Sequence, residues 1–220
     1  MKVMMRTTTT GHQLLSLIAV LLISTALAFV PPLTYDTKCR NLLNAESSTT
    51  PFSIGGASDE LLELFNNQVT QEMAASQFYL SASIWFDGRD WEGQAKYMLA
   101  ESAEERGHAL QLIDFANKRN IPLKLQSLDA PDCDWSSPED VWKAVLKLEQ
   151  ANTASLLQLA EAANRCQDYA VLACLNPFHM EQVDAEDKIG SIIAKVTDEN
   201  RTPGLLRQLD HELGLEAGQA

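Results

Sequence analysis

Glu105-Arg106-Gly107-His108 is the stretch of this chain that most directly suggests chemistry. A carboxylate and an imidazole three residues apart project from one side of a helix, and here that side is the inward face of a long amphipathic pattern. Buried together they are costly unless something charged compensates them, and a metal ion does so directly. Three further helical segments carry polar residues at matching heights: Glu72, Glu149 and Gln182. Three carboxylates and one imidazole, with coordination positions left open, suit non-haem iron better than structural zinc. A glutamate shared between two ions and flanked by terminal carboxylates is how a bundle of helices builds a dinuclear centre. Such a centre binds two Fe(II), and dioxygen takes one electron from each. With few ligands, it need not retain the ferric products.

The elements that must hold these residues are helices. Downstream of Ser58 no alternating strand pattern occurs, and few Gly or Pro fall inside segments. Ser58 caps a first helix to about Phe86, closed by Asp87-Gly88, and Asp90 starts a second to about Asn120, stopped by Pro122. Ser137-Pro138-Glu139-Asp140 is a strong start signal for a third, to about Arg165. A fourth runs from about Tyr169 to Lys195, and Thr202-Pro203 opens a short fifth to about Leu213. Four helices of ~25–30 residues span ~40 Å each. The connection from Ile121 to Ser136 is far longer than a hairpin needs, so it reads as a crossover that leaves helices two and three parallel. The expected fold is all-α, a four-helix bundle with one long crossover and a short fifth helix at the C-terminus.

Stripes at 3-4 spacing then predict the inward faces. They are Phe65, Val69, Glu72, Ser76, Tyr79, Ser83 and Phe86; Met98, Glu101, Glu105, His108, Leu112 and Phe115; Trp142, Val145, Glu149, Asn152, Leu156, Leu159 and Ala163; and Leu175, Phe178, Gln182, Ala185, Ile189, Ile192 and Val196. Each stripe is apolar at its ends and polar near its middle. Singly, Glu72 could be a surface residue, His108 a satisfied core histidine and Tyr79 plain packing, while Glu101 and Glu104 read most simply as a solvated face. Jointly, four helices placing acids or amides at one height argue for a site.

The net charge of −13 argues against nucleic acid and anionic membrane surfaces as partners and suits cations. Residues 1–28 read as a cleaved signal peptide, with an apolar run from Leu14 to Val30 around Ala26-Leu27-Ala28 and followed by Pro31-Pro32. Residues 29–56 are Ser/Thr-rich and read as a transit-like or disordered leader, leaving 57–220 as the folded domain. Ala28-Phe29-Val30-Pro31 resembles the junction of bipartite plastid leaders in diatoms and related algae, which implies a plastid destination; secretion is the alternative. Of the four cysteines, Cys39 lies in the leader and Cys133, Cys166 and Cys174 read as free thiols.

With those residues in view, residues 58–213 resemble a ferritin. Gln68-Val69-Thr70-Gln71-Glu72 through Ser76, Tyr79, Leu80 and Ser81 resembles the family's first helix, and Glu104-Glu105-Arg106-Gly107-His108-Ala109 its second-helix signature. Leu148-Glu149 with Asn152 and Ser155-Leu156-Leu157 resembles the third helix, and Glu181-Gln182-Val183 the fourth. Trp85-Phe86-Asp87-Gly88 and Asp198-Glu199-Asn200-Arg201-Thr202-Pro203-Gly204 are similar to diatom ferritins in particular. The resemblance implies ferroxidase activity and iron storage: Glu72, Glu105 and His108 hold a first iron, Glu105 and Glu149 a second, and Gln182 lies close by. Tyr79 matches a tyrosine beside the centre that donates an electron or a hydrogen bond. The partners implied are Fe(II), dioxygen and other copies of the chain, in a shell of twenty-four.

Three departures accompany the resemblance. Glu101 matches a third-site ligand, but Ala185 stands where its partner glutamate belongs, so a third iron site is weak or absent. Leu172 and Leu175 replace acids expected along a three-fold channel. Gly107 and Leu110 reduce the inner-surface acidic cluster, which predicts slow transfer onward from the centre. A soluble, non-storage di-iron oxidase is the alternative function. It would want a second Glu-x-x-His on the fourth helix, where Glu181 and Asp184 stand instead.

Overall fold

The structure, a computed structural model, describes residues 58–197 and 204–218. The two leader segments and the Thr202-Pro203 start of the fifth helix lie outside the described residues. Five helices follow in order: α1 Asp59–Asp87, α2 Glu92–Arg119, α3 Pro138–Arg165, α4 Tyr169–Thr197 and α5 Leu205–Ala217. No strand occurs among the described residues. None of their helices is long and apolar enough to cross a membrane. Cys133, Cys166 and Cys174 are free.

The caps expected from sequence form. Leu61 N donates to Ser58 Oγ at 3.2 Å and Asp140 N to Ser137 Oγ at 3.2 Å, each satisfying one of the donors a helix start leaves over. Two boundaries differ: α5 runs past the expected Leu213 to Ala217, and the start of α2 shifts. Asp90 does not begin α2 but sits in the left-handed region (φ 59°), where its short polar side chain is tolerated, and Trp91 N closes the turn on Phe86 O at 3.1 Å. At its other end α2 stops on left-handed Asn120. α4 continues through Pro177 as one element.

The crossover follows α1 for most of its length. Lys124 N donates to Asn66 Oδ1 at 2.7 Å, Ser81 Oγ to Asp132 O at 2.6 Å and Trp85 Nε1 to Trp135 O at 3.1 Å. α3 therefore starts beside the end of α1 and runs back along it. α2 is antiparallel to α1 as well, as the Ser83–Ala95 and Ser76–Ser102 hydrogen bonds at 2.8 and 2.7 Å show. Helices α2 and α3 are thus parallel, as the crossover requires.

Two apolar clusters fill the ends of the bundle. One gathers Phe86, Met98, Trp142, Val145 and Ile189, joined by Leu206, Leu209 and Leu213 of α5. The other gathers Phe65, Leu112, Leu156, Leu159 and Leu175. Each such side chain, fully buried, contributes about 1.5–3 kcal/mol, so the two clusters clamp the helices at a fixed separation. Between them lie the buried polar residues Gln68, Glu72, Glu105, Glu149, Asn152 and Gln182. The expected stripes all face inward; Ser76, Glu101, His108, Phe115 and Ala185 are half-buried, and the rest are buried.

Candidate metal centre

At mid-height, ligand atoms of Glu72 from α1 and of Glu105 and His108 from α2 all lie within 4.8 Å of one another. His108 Nδ1 stands 3.3 Å from Glu105 Oε2, and its Nε2 3.1 Å from Glu181 Oε1 on α4. Glu149 joins from α3. The Tyr79 hydroxyl donates to its Oε1, and Gln182 Nε2 donates to its Oε2 at 3.0 Å. Glu72 is held on both oxygens too: Gln68 Nε2 donates to Oε1 at 2.7 Å and Asn152 Nδ2 to Oε2 at 3.3 Å.

Burial and mutual repulsion raise these carboxyls. Glu72 is pushed up to about 8, first by burial and then by the adjacent Glu105. Glu105 and Glu149 are raised, chiefly by burial. For His108, burial acts downward, but the carboxylates of Glu105 and Glu181 outweigh it and lift the imidazole to about 10. Burial, then the charge of Glu149, holds the Tyr79 hydroxyl protonated. A site of this kind retains protons when metal-free and surrenders them to a cation.

The sign of the pH dependence follows. Glu72's raised value contributes stability that is fully present below its ordinary 4.5 and is lost as pH rises through about 8. The His108 contribution is present below 6.5 and is lost as pH rises through about 10. The metal-free protein should lose thermal stability between about pH 4.5 and 10, while affinity for Zn²⁺ climbs over the same interval. Melting curves and calorimetry in buffers of different ionisation enthalpy check both. A Zn²⁺ affinity that is flat across this range, with no proton release, would contradict the arrangement.

The structure thus brings together Glu72, Glu105 and His108, with Glu149, Tyr79 and Gln182 adjoining. Glu101 stands aside: it belongs to no group of three ligand atoms among the described residues. It is raised to about 7 by burial, although the Tyr97 hydroxyl and Lys188 act in the opposite direction. Lys188 Nζ lies 4.5 Å over the Tyr97 ring. Two residues were not assigned to the site from the sequence. Gln68 lies four residues before Glu72, a helical spacing that would have found it. Glu181 reaches His108 only because α4 packs there, making a second ligand group with exposed Glu104.

A family model described as "Ferritin-like domain" matches residues 62–198. The chain belongs to the ferritin family. Among relatives of this ferritin, a bacterial non-heme ferritin from Staphylococcus aureus is 31% identical over 157 residues, covering 71% of this chain and 95% of the relative. Another, from Staphylococcus haemolyticus, is 33% identical over 129 residues, covering 59% of this chain and 78% of the relative. The solved apo-ferritin from Pseudo-nitzschia multiseries is 73% identical, with a TM-score of 0.67 over 70% of this chain and 98% of that one. In this ferritin Leu175 is fully buried and Leu172 packs partly buried against the same cluster. Both are therefore committed to the core of the subunit, a role the acids expected there could not fill.

Proposed function

We propose that this ferritin oxidises Fe(II) with dioxygen at a dinuclear centre within each subunit and stores the ferric product inside a homo-oligomeric shell. The observation that carries the reading is the convergence of Glu72, Glu105 and His108 within 4.8 Å, beside a Glu149 whose two oxygens are held by Tyr79 and Gln182. Glu105, within ligand distance of Glu72 and His108 and under the charge of Glu149, serves as the shared ligand; Glu72 and His108 complete the first site and Glu149 the second. Two bound Fe(II) each supply one electron to dioxygen. Tyr79, buried and protonated, offers its hydroxyl hydrogen at Glu149 Oε1, and Gln182 holds Glu149 against swinging out of the site. The flanking apolar clusters keep bulk water from both ends, which strengthens every charge interaction between them.

Storage in a shell draws support from the surface. Leu80, Ile84 and Leu99 are exposed and line an open depression of about 420 Å³ with Ser83, Asp87 and Lys96 on α1 and α2. A face of this kind suits burial against another copy. The test is stopped-flow absorbance after mixing anaerobic Fe(II) with the metal-free protein in oxygenated buffer. A fast ferric rise that saturates near two irons per subunit is expected. A slow rise that never saturates would leave a passive iron container.

A further inference from the structure

Each terminal carboxylate of the centre has a separate neutral donor on each oxygen. Glu149 takes Tyr79 on Oε1 and Gln182 on Oε2; Glu72 takes Gln68 on Oε1 and Asn152 on Oε2. Glu105 has no amide on either oxygen among the described residues. The pair on Glu72 is itself joined, since Gln68 Nε2 also donates to Asn152 Oδ1 at 2.6 Å. That bond leaves the network a single orientation. Turning the Asn152 amide over would set N–H against N–H at Gln68 and a carbonyl against the carboxylate of Glu72.

Three features separate this trio from ordinary core packing. Gln68 and Glu72 are wholly buried and Asn152 is 2% exposed, so no solvent competes for their hydrogen bonds. Both N–H groups of Gln68 are spent on Glu72 and Asn152, while its own Oε1 has no partner among the described residues. A buried acceptor without a partner is a cost to folding, and a core selected for stability alone would favour an apolar side chain there. Finally, the donors are uncharged. Lysine or arginine in their place would neutralise Glu72 and compete with a cation, whereas amides orient the carboxylate and leave its charge available.

We propose that Gln68 and Asn152 are positioning residues that hold Glu72 in ligand geometry before metal arrives, and so set the affinity of the first metal site separately from the second. One lone pair on each Glu72 oxygen is engaged by an amide, while a ligand atom of Glu72 stays within 4.8 Å of those of Glu105 and His108. Asn152 stands one turn beyond Glu149 on α3. That helix therefore supplies the ligand of one site and the clamp of the other, at fixed spacing. The inference rests on the dinuclear reading above.

Anaerobic Co²⁺ titration of the full metal-free protein, followed by visible d–d absorption, tests it. The variants are Asn152→Leu, Gln68→Leu and Gln182→Leu. The first two should weaken one of the two Co²⁺ binding steps by about 10–100-fold, the range typical when a ligand loses its hydrogen-bonded support, and leave the other step in place. Gln182→Leu should move the other step instead. In Fe(II) oxidation, Asn152→Leu should raise KM and spare kcat. If either clamp variant fails to fold, the other still decides. Equal weakening of both steps would mean a general loosening and overturn the proposal, as would unchanged titrations for the clamp variants. Uptake of fewer than two Co²⁺ per subunit by the unaltered protein would overturn the dinuclear reading beneath it.

Discussion

Replacing Glu105 with alanine is expected to remove the fast phase of Fe(II) oxidation, lowering the initial rate by roughly a hundredfold or more. On the proposed reading Glu105 serves both metal positions: it offers a ligand atom within 4.8 Å of those of Glu72 and His108, and the charge of Glu149 acts on it. Its loss removes negative charge from both ions in a buried setting, where a ligand contributes several kcal/mol and each ~1.4 kcal/mol is a factor of ten in rate. The same substitution removes the Nδ1 partner of His108 and leaves the ring held through Nε2 by Glu181. Stopped-flow rates at two Fe(II) per subunit measure the effect. An unchanged initial rate would show that Glu105 is not a ligand, whatever its position.

The second large effect falls far from the chemistry. Gly93 lies at the start of α2, where a Cβ would stand 1.7 Å from the main-chain oxygen of Asp210 on α5 and 2.5 Å from its carbonyl carbon. Main chain cannot yield as a flexible side chain does. Gly214 meets Gly93 from the other side, with a Cβ there 3.0 Å from the Gly93 Cα, so the two helices cross backbone on backbone. That closeness has a purpose. Trp91 offers no side-chain cap to α2, and Asp210 Oδ1 supplies the missing acceptor to Gln94 N at 2.9 Å.

Gly93→Ala should therefore destabilise the metal-free protein by about 3 kcal/mol, combining overpacking with loss of a cap. It should also free the amides of α5 to exchange. Gly107→Ala provides the contrast: nothing lies within 4 Å of a Cβ there, so a gain of up to about 1 kcal/mol is expected. Denaturant unfolding with hydrogen exchange distinguishes the two. Equal stability of Gly93→Ala and the unaltered protein would mean that α5 does not dock as described.

Much of this architecture was legible along the chain, because its signals are local. Ser58 and Ser137-Pro138 mark helix starts through hydrogen bonds and a backbone angle that need no partner helix. The 3-4 spacing of apolar residues on each helix specified which face turns inward, and Glu72, Glu105, His108 and Glu149 were found because they interrupt that face at one height. The start of α2 was misjudged because Asp90 satisfies the composition of a helix start while its backbone is left-handed, a choice made by how the Asp87–Trp91 turn closes on Phe86.

What sequence alone could not decide were relations between helices. Gln68 and Asn152 are ordinary amides until α1 and α3 are antiparallel at one particular register, which places both on Glu72. Glu181 is an unremarkable acid until α4 brings it to His108. Glu101 shares the stripe of the ligands, yet one turn from Glu105 it comes under the influence of Tyr97 on its own helix and Lys188 on α4, a pairing that the packing of α4 decides. The physical reason is range. Helix formation, capping and amphipathic phase depend on residues within a turn or two of each other, and the shared height of Glu72, Glu105, His108 and Glu149 on their stripes was enough to suggest an oxygen-rich site. Axial register and the approach of two backbones at Gly93 are instead set by the packing of whole helices, which no single segment encodes.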